Sequence, residues 1–207
     1  MREHQVRGAK RAKRWRTTTP DPVAVRPRAL VGRNFTATRP DALWVADFTY
    51  LKSWQGVSYF AFVLDAYSRR IVGWQLASHM RTSLVLDALR IALTRRNAGA
   101  DVALVHHSDA GSQYTSGAFQ QLLDDHQVLA SVGSVGDAYD NAMAESFADT
   151  IKTELVHDRV FPSRRALELA VVAWIGWYNH DRLHSAIGDI SPAEHEQAYA
   201  TRSEPAA

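Results

Sequence analysis

Asp47, Asp109 and Glu145 are the side chains whose types and placement can do chemistry in this chain. Asp47 interrupts the apolar run Leu43 to Leu51, Asp109 closes a second run, and Glu145 follows on an amphipathic segment with 35 residues between. Three carboxylates delivered to one point by separate elements make a magnesium site, and such sites cut and join phosphodiester bonds. In-line phosphoryl transfer needs an activated oxygen nucleophile, a stabilised leaving oxygen and neutralised charge between them. Two Mg2+ ions about 3.5 to 4 Å apart supply all three. Asp47 and Asp109 are expected to bridge or flank the ions and Glu145 to complete one shell, with Mn2+ able to substitute. Without metal the carboxylates would repel one another and at least one pKa should rise, so metal titration should stabilise the fold.

Spacing alone does not single out this trio. Six acidic pairs lie 36 positions apart: 65/101, 101/137, 109/145, 145/181, 158/194 and 168/204. Context decides between them. Asp47 sits between Ala46 and Phe48, where a lone carboxylate is costly to bury without a cation or several donors. Asp109 opens Asp109-Ala-Gly-Ser-Gln-Tyr114 at the end of a parallel-type strand, where open α/β sheets place their ligand crevice. Its plainer reading is a turn aspartate. Asn141, Asp149 and Lys152 fall within about 40° of Glu145 at roughly 100° per residue. Ala144, Phe147, Ile151 and Leu155 form the apolar side. A carboxylate with a cation two turns along suits a phosphate backbone lying across the helix, and the plainer reading is a solvated face.

The elements that must position these groups follow from the pattern of apolar residues. Leu43 to Leu51, Val57 to Leu64 and Ile71 to Leu76 are rich in β-branched and aromatic residues with turn punctuation between, predicting an antiparallel meander. Thr82 is expected to cap a helix to about Asn97. Val102 to Val105 reads as a buried strand ending in His106-His-Ser-Asp109. A helix from Ser116 to His126, a strand Val128 to Val132, a helix Asn141 to about Val156, capped by Asp140, and a helix Ser163 to Asn179 complete an α/β sheet of mixed direction with helices on both faces. The expected organisation is a basic, largely extended arm over 1–40, a core over 41–160, and C-terminal helices over 161–207 that fray from about 200.

Charge divides the chain in the same way. Residues 1–40 carry eleven Lys/Arg against Glu3 and Asp21, for +9 in a chain whose total is +2, so the rest carries −7. The cations Lys10, Arg11, Lys13, Arg14 and Arg16 suggest a polyanion partner. The absence of cysteine excludes disulfides and thiol catalysis and suits a reducing cytoplasm. No apolar stretch approaches the roughly 20 residues of a membrane span, and the basic start has no apolar core of a secretory signal.

Four segments carry a specific resemblance: Trp44-Val-Ala-Asp-Phe-Thr-Tyr50, His107-Ser-Asp-Ala-Gly-Ser-Gln-Tyr-Thr-Ser116, Gly136-Asp-Ala-Tyr-Asp-Asn-Ala-Met-Ala-Glu-Ser-Phe147, and Tyr178-Asn-His-Asp-Arg-Leu-His-Ser-Ala-Ile-Gly188 with Ser191-Pro192. Together they resemble the integrase-like core of bacterial insertion-sequence transposases, over about Arg28 to Tyr199. The resemblance implies a ribonuclease-H-like fold, three antiparallel strands followed by two parallel ones, with Asp47, Asp109 and Glu145 as the acidic triad. It implies Lys152 as the downstream basic residue, and cleavage at element ends followed by strand transfer to target DNA. It further implies a homo-oligomer on DNA in the bacterial cytoplasm or nucleoid, and a helix-turn-helix domain or partner upstream. Ala110 stands where many relatives carry a basic residue.

Other polar residues have structural readings beside functional ones. Asp65 is expected to close the Asp65-Ala-Tyr-Ser turn. His106, His107 and His180 lack a partner set at metal-ligand spacing. Arg182 and His184 could bind DNA phosphate or lock the C-terminal segment onto the core. Two other functions remain in view: a nuclease of the same fold that cuts without joining, and a non-enzymatic DNA-binding remnant.

Overall fold

The computed structural model describes residues 27, 29–32, 34–97, 103–134, 138–157 and 159–203. Five strands form one sheet in the order β3-β2-β1-β4-β5: β1 Leu43–Ser53, β2 Gly56–Asp65, β3 Ile71–Ala77, β4 Val105–Ser108 and β5 Leu129–Val132. The first three are antiparallel, and β4 and β5 run parallel to β1. The expected mixed α/β sheet is therefore present. The β4 strand is three residues later than the apolar run Val102 to Val105 suggests. Pairing sets its limits: Leu43 meets Val105 and Ala46 meets Ser108, so the polar-looking His106, His107 and Ser108 form the strand and are buried.

Alternation along β1 sends Trp44 and Ala46 to one face and Leu43, Val45 and Leu51 to the other, and each face carries its own core. The first core packs α1 Thr82–Arg96 and α2 Gly117–Asp125 on the sheet. Gly73 permits this, because a Cβ there would overlap the Ala88 carbonyl and Ala92 of α1. The second core packs α3 Ala142–Ile151 and α4 Arg164–His180 through Phe147, Ile151, Val171, Trp174 and Tyr178. A last helix, α5 Pro192–Ser203, follows. Ser116 caps α2 by accepting from the Phe119 N–H, and Ser163 caps α4 by accepting from Ala166.

Two capping expectations fail. Thr82 is the first helical residue of α1 and Arg81 occupies the cap without a side-chain bond. Asp140 lies in a 3-10 turn over Ala138–Asn141, and Asn141 takes the cap of α3. The predicted helix to Val156 also changes character: α3 ends at Ile151 and a π turn runs from Lys152 to Val156. That wider turn keeps Leu155 in the core while Glu154 reaches Arg182. The long α4 contributes to the same core as the sheet.

Candidate active site

The parallel ladder pairs Ala46 with Ser108, so Asp47, inside β1, and Asp109, just past the end of β4, follow next on adjacent strands. Asp47 is half-buried and its Oδ1 accepts from the Phe48 N–H at 2.8 Å. Asp109 is exposed and its Oδ1 accepts from the Gly111 N–H at 3.0 Å, fixing the turn that follows. The neighbour they share is Tyr114. Its buried phenol is pushed well above its usual pKa, first by desolvation and then by the charges of both Asp47 and Asp109. Nothing in the sequence spacing announces Tyr114, although it closes the Asp109 motif.

Glu145 lies in the first turn of α3 and is half-buried. Across β2, the partner of Asp47 is Phe62, and the Phe62 ring lies 4.4 Å from that of Phe147 on α3. Cross-strand partners share a face, so α3 covers the face from which Asp47 projects. Among the described residues, no three His, Asp or Glu side chains gather into one ligand group. The structure thus sets Asp47 and Asp109 on adjacent strands, one inside β1 and one just past β4, and Glu145 on the facing helix. Three like charges repel at short range without a cation between them.

A strut joins these parts. His107 Nε2 lies 2.6 Å from the Asp140 carbonyl and Nδ1 lies 2.8 Å from Ser131 Oγ. A carbonyl can only accept, so Nε2 carries the proton and the ring is held neutral, its pKa lowered chiefly by burial. Asp140 in turn accepts from the Ser134 N–H at 2.8 Å and from the Ser134 hydroxyl. The strand that ends in Asp109 is thereby tied to the turn that launches the Glu145 helix. The sequence gives His107 only as a histidine lacking metal partners, and the strut is visible only in the fold.

Lys152 is half-buried at the start of the π turn, its Nζ 5.3 Å from the centre of the Tyr50 ring on β1. Arg182 forms a two-pronged pair with Glu154, at 2.9 Å from Nε and 2.7 Å from Nη2, and lies over the Tyr178 ring. The pairing raises its pKa. His184 is buried, and burial followed by the Arg182 and Arg69 charges lowers its pKa to about 4. These contacts have the geometry of a lock between the C-terminal segment and the π turn. Asp65 is fully buried and accepts from the N–H groups of Ser68 at 2.9 Å and Asp41 at 2.7 Å, the expected turn role. Lys10, Arg11, Lys13, Arg14 and Arg16 lie outside the described residues.

Comparison with known proteins gives a consistent picture. Two integrase core domain models match residues 37–138 and 126–192. A Mycobacterium tuberculosis protein described as a transposase for insertion sequence element IS986/IS6110 is 48% identical over 205 residues, covering 97% of this chain and 74% of its own. The transposase for IS629 of Shigella sonnei is 49% identical over 193 residues, covering 93% of this chain and 64% of its own. Among solved structures, the HTLV-2 integrase catalytic core domain in complex with magnesium superposes with a TM-score of 0.60 at 14% identity. It covers 78% of this chain and 99% of that one. A chain of the simian T-cell lymphotropic virus intasome, in complex with PP2A regulatory subunit B56 gamma, reaches 0.67 at 17% identity over 90% of this chain and 63% of that one. At such identities the structural likeness shows the fold, which is that of integrase cores. No described helix is long and apolar enough to cross a membrane.

Proposed function

Because this chain belongs to the insertion-sequence transposases built on an integrase core, whose work is DNA transposition, we propose that Asp47, Asp109 and Glu145 are its catalytic, metal-holding residues. The reaction is metal-dependent cleavage at element ends followed by transfer of the freed 3′ hydroxyl to target DNA. The observation that carries this reading is the strand register that sets Asp47 beside Asp109, with both charges felt at Tyr114 and α3 on the face of Asp47.

The donor set fits a hard divalent cation: carboxylate oxygens from separate elements, with room left for a substrate phosphate. Bound Mg2+, or Mn2+ in its place, would supply charge neutralisation at the attacking and leaving oxygens, and the reading favours two ions. Asp47 and Asp109 hold one side of the site and Glu145 the other. The His107 strut fixes the spacing between β4 and α3. Lys152 meets the phosphate backbone, while Arg182 and His184 act through the lock on the π turn that begins at Lys152. The arm cations Lys10, Arg11, Lys13, Arg14 and Arg16 add nonspecific hold. The working form is a homo-oligomer on DNA in the bacterial cytoplasm, with end recognition supplied by helix-turn-helix segments upstream or in a partner.

Incubation with element-end DNA, a target plasmid and Mg2+ tests this. Joined product from the wild type and none from Asp109→Asn is expected. Product that persists in Asp109→Asn contradicts the site, and cutting without joining reduces the protein to a nuclease.

A further inference from the structure

Trp54, 76% exposed, is the most exposed large apolar side chain among the described residues. It sits in the turn between β1 and β2, and that turn is pinned. The Trp54 N–H donates to the Phe161 carbonyl at 2.9 Å, the Ser53 hydroxyl to the Gly56 carbonyl at 3.2 Å, and the Arg164 N–H to Gln55 Oε1 at 3.0 Å. Exposure of the indole is therefore a property of a fixed backbone. Burial alternates along the outer half of β1: Tyr50, Lys52 and Trp54 are exposed, while Leu51 and Ser53 are buried. Tyr50 and Lys52 share the face of β1 opposite the one from which Asp47 projects, and Trp54 follows in the turn just past the strand. Tyr59 and the exposed Val57 stand opposite Tyr50 and Lys52 on β2, and Lys152 reaches over the Tyr50 ring. The result is a ridge of aromatic rings interleaved with two lysines, along the part of β1 that extends beyond its pairing with β4.

A wholly apolar partner would desolvate both lysines at a cost. A nucleic acid strand uses both kinds of group, because bases stack on rings and phosphates pair with ammonium groups. We propose that this ridge carries a single, unpaired DNA strand leading away from the acidic site. Its bases stack on Tyr50 and Trp54 and its phosphates meet Lys52 and Lys152. At about 3.3 Å per residue, Tyr50 lies roughly 10 Å and Lys52 roughly 17 Å along β1 from the level of Asp47, with Trp54 in the turn beyond. Every base has a π face and lysine is a flexible point charge, so the ridge holds an opened strand without reading its sequence. The inference rests on the DNA-cutting reading above, but binding to the ridge needs no turnover.

The test uses the full chain in EDTA with two arbitrary-sequence probes: a blunt duplex, and the same duplex with a ten-nucleotide 3′ tail carrying 2-aminopurine. Stacking is worth about 1–3 kcal/mol per base, so the wild type should bind the tailed probe about tenfold more tightly than the blunt one and quench the 2-aminopurine. Trp54→Ala should lose most of that preference and the quench, and Trp54→Phe should keep both. Trp54 makes no core contact that its removal would open, and an unchanged melting curve for Trp54→Ala verifies this. Asp109→Asn should bind like the wild type, which separates this inference from the catalytic one. Equal tail preference in Trp54→Ala and wild type overturns the proposal, as does equal binding of tailed and blunt probes. Self-association lost in Trp54→Ala without any tail preference would assign the ridge to a second copy of the chain and also overturns it.

Discussion

Six positions separate Asp41 from Asp47, yet the two carboxylates have opposite surroundings. Asp41 accepts from Arg96 Nε at 2.8 Å and from Trp44 Nε1 at 2.9 Å. Arg96 also forks onto Glu196 of α5, which takes Arg70 and the Ser68 hydroxyl as well. In that cluster each acid meets a guanidinium from another element. Burial works against the Arg96 charge, and its bonds to Glu196 and Asp41 more than offset it. Burial likewise opposes the Glu196 charge, and Arg96 overcomes it, so the carboxyl is held below its usual pKa. Asp47, inside β1, and Asp109, just past β4, instead follow each other on adjacent strands and jointly act on one phenol. Carboxylates met by guanidinium groups of the same chain hold the fold, whereas carboxylates gathered from neighbouring strands supply oxygens to a hard cation brought from solution.

The comparison can be broken by substitutions on either side. On the acidic side, Asp109→Asn should lower the cleavage rate by about a thousandfold and melt no lower than the wild type. A parallel loss of stability would move Asp109 into the structural class. In the Arg96 cluster, Glu196→Ala leaves the partly buried Arg70 guanidinium without its acid and Arg96 with Asp41 alone, and should cost about 3 kcal/mol in urea unfolding. Its cleavage per folded molecule should stay near wild type. Saturating Mg2+ should stabilise the wild type by about 2.7 kcal/mol at a hundred times Kd and leave Asp109→Asn unmoved, as read by melting.

Acid should weaken the fold through its buried histidines. His106 is held down to about 3, chiefly by burial, and His184 to about 4. A histidine with a lowered folded pKa stays neutral in the fold while the unfolded chain takes up a proton. Stability is therefore full above about pH 6.5 and falls as pH drops toward the folded values. Urea midpoints at pH 7.5 and 5 should differ, and His106→Phe should narrow the gap. The smallest effect belongs to Arg165, whose exposed pair with Glu168 at 3.1 Å should contribute at most about 0.5 kcal/mol. A larger loss in Arg165→Ala would blur the line between surface pairs and the Glu196 cluster.

Much of this was legible in the sequence because alternation and helical spacing report burial directly. The meander β1 to β3, the helix starts at Ser116 and Ser163, and the turn role of Asp65 all follow from local chemistry. What depended on pairing across the sheet was not legible. The limits of β4 are set by register against β1, which made a strand of His106, His107 and Ser108. Asp140 looked like a cap because it precedes the helix, but its carboxylate turns back to Ser134 and its carbonyl to His107. The π turn, the Glu154–Arg182 lock and the position of Tyr114 are likewise long-range outcomes with no local signature. For the site, residue type and context picked the candidates, and the ladder shows how two of them come to lie side by side.

Glu145 is the member of the trio that the strands do not place, so it bears the central claim. Calorimetric titration of Mn2+ into the wild type, Asp47→Asn, Asp109→Asn and Glu145→Gln tests it most directly. The account predicts saturable binding to the wild type, weakened at least about tenfold in each of the three variants. Binding to Glu145→Gln as tight as to the wild type would contradict a site shared between the two adjacent strands and α3.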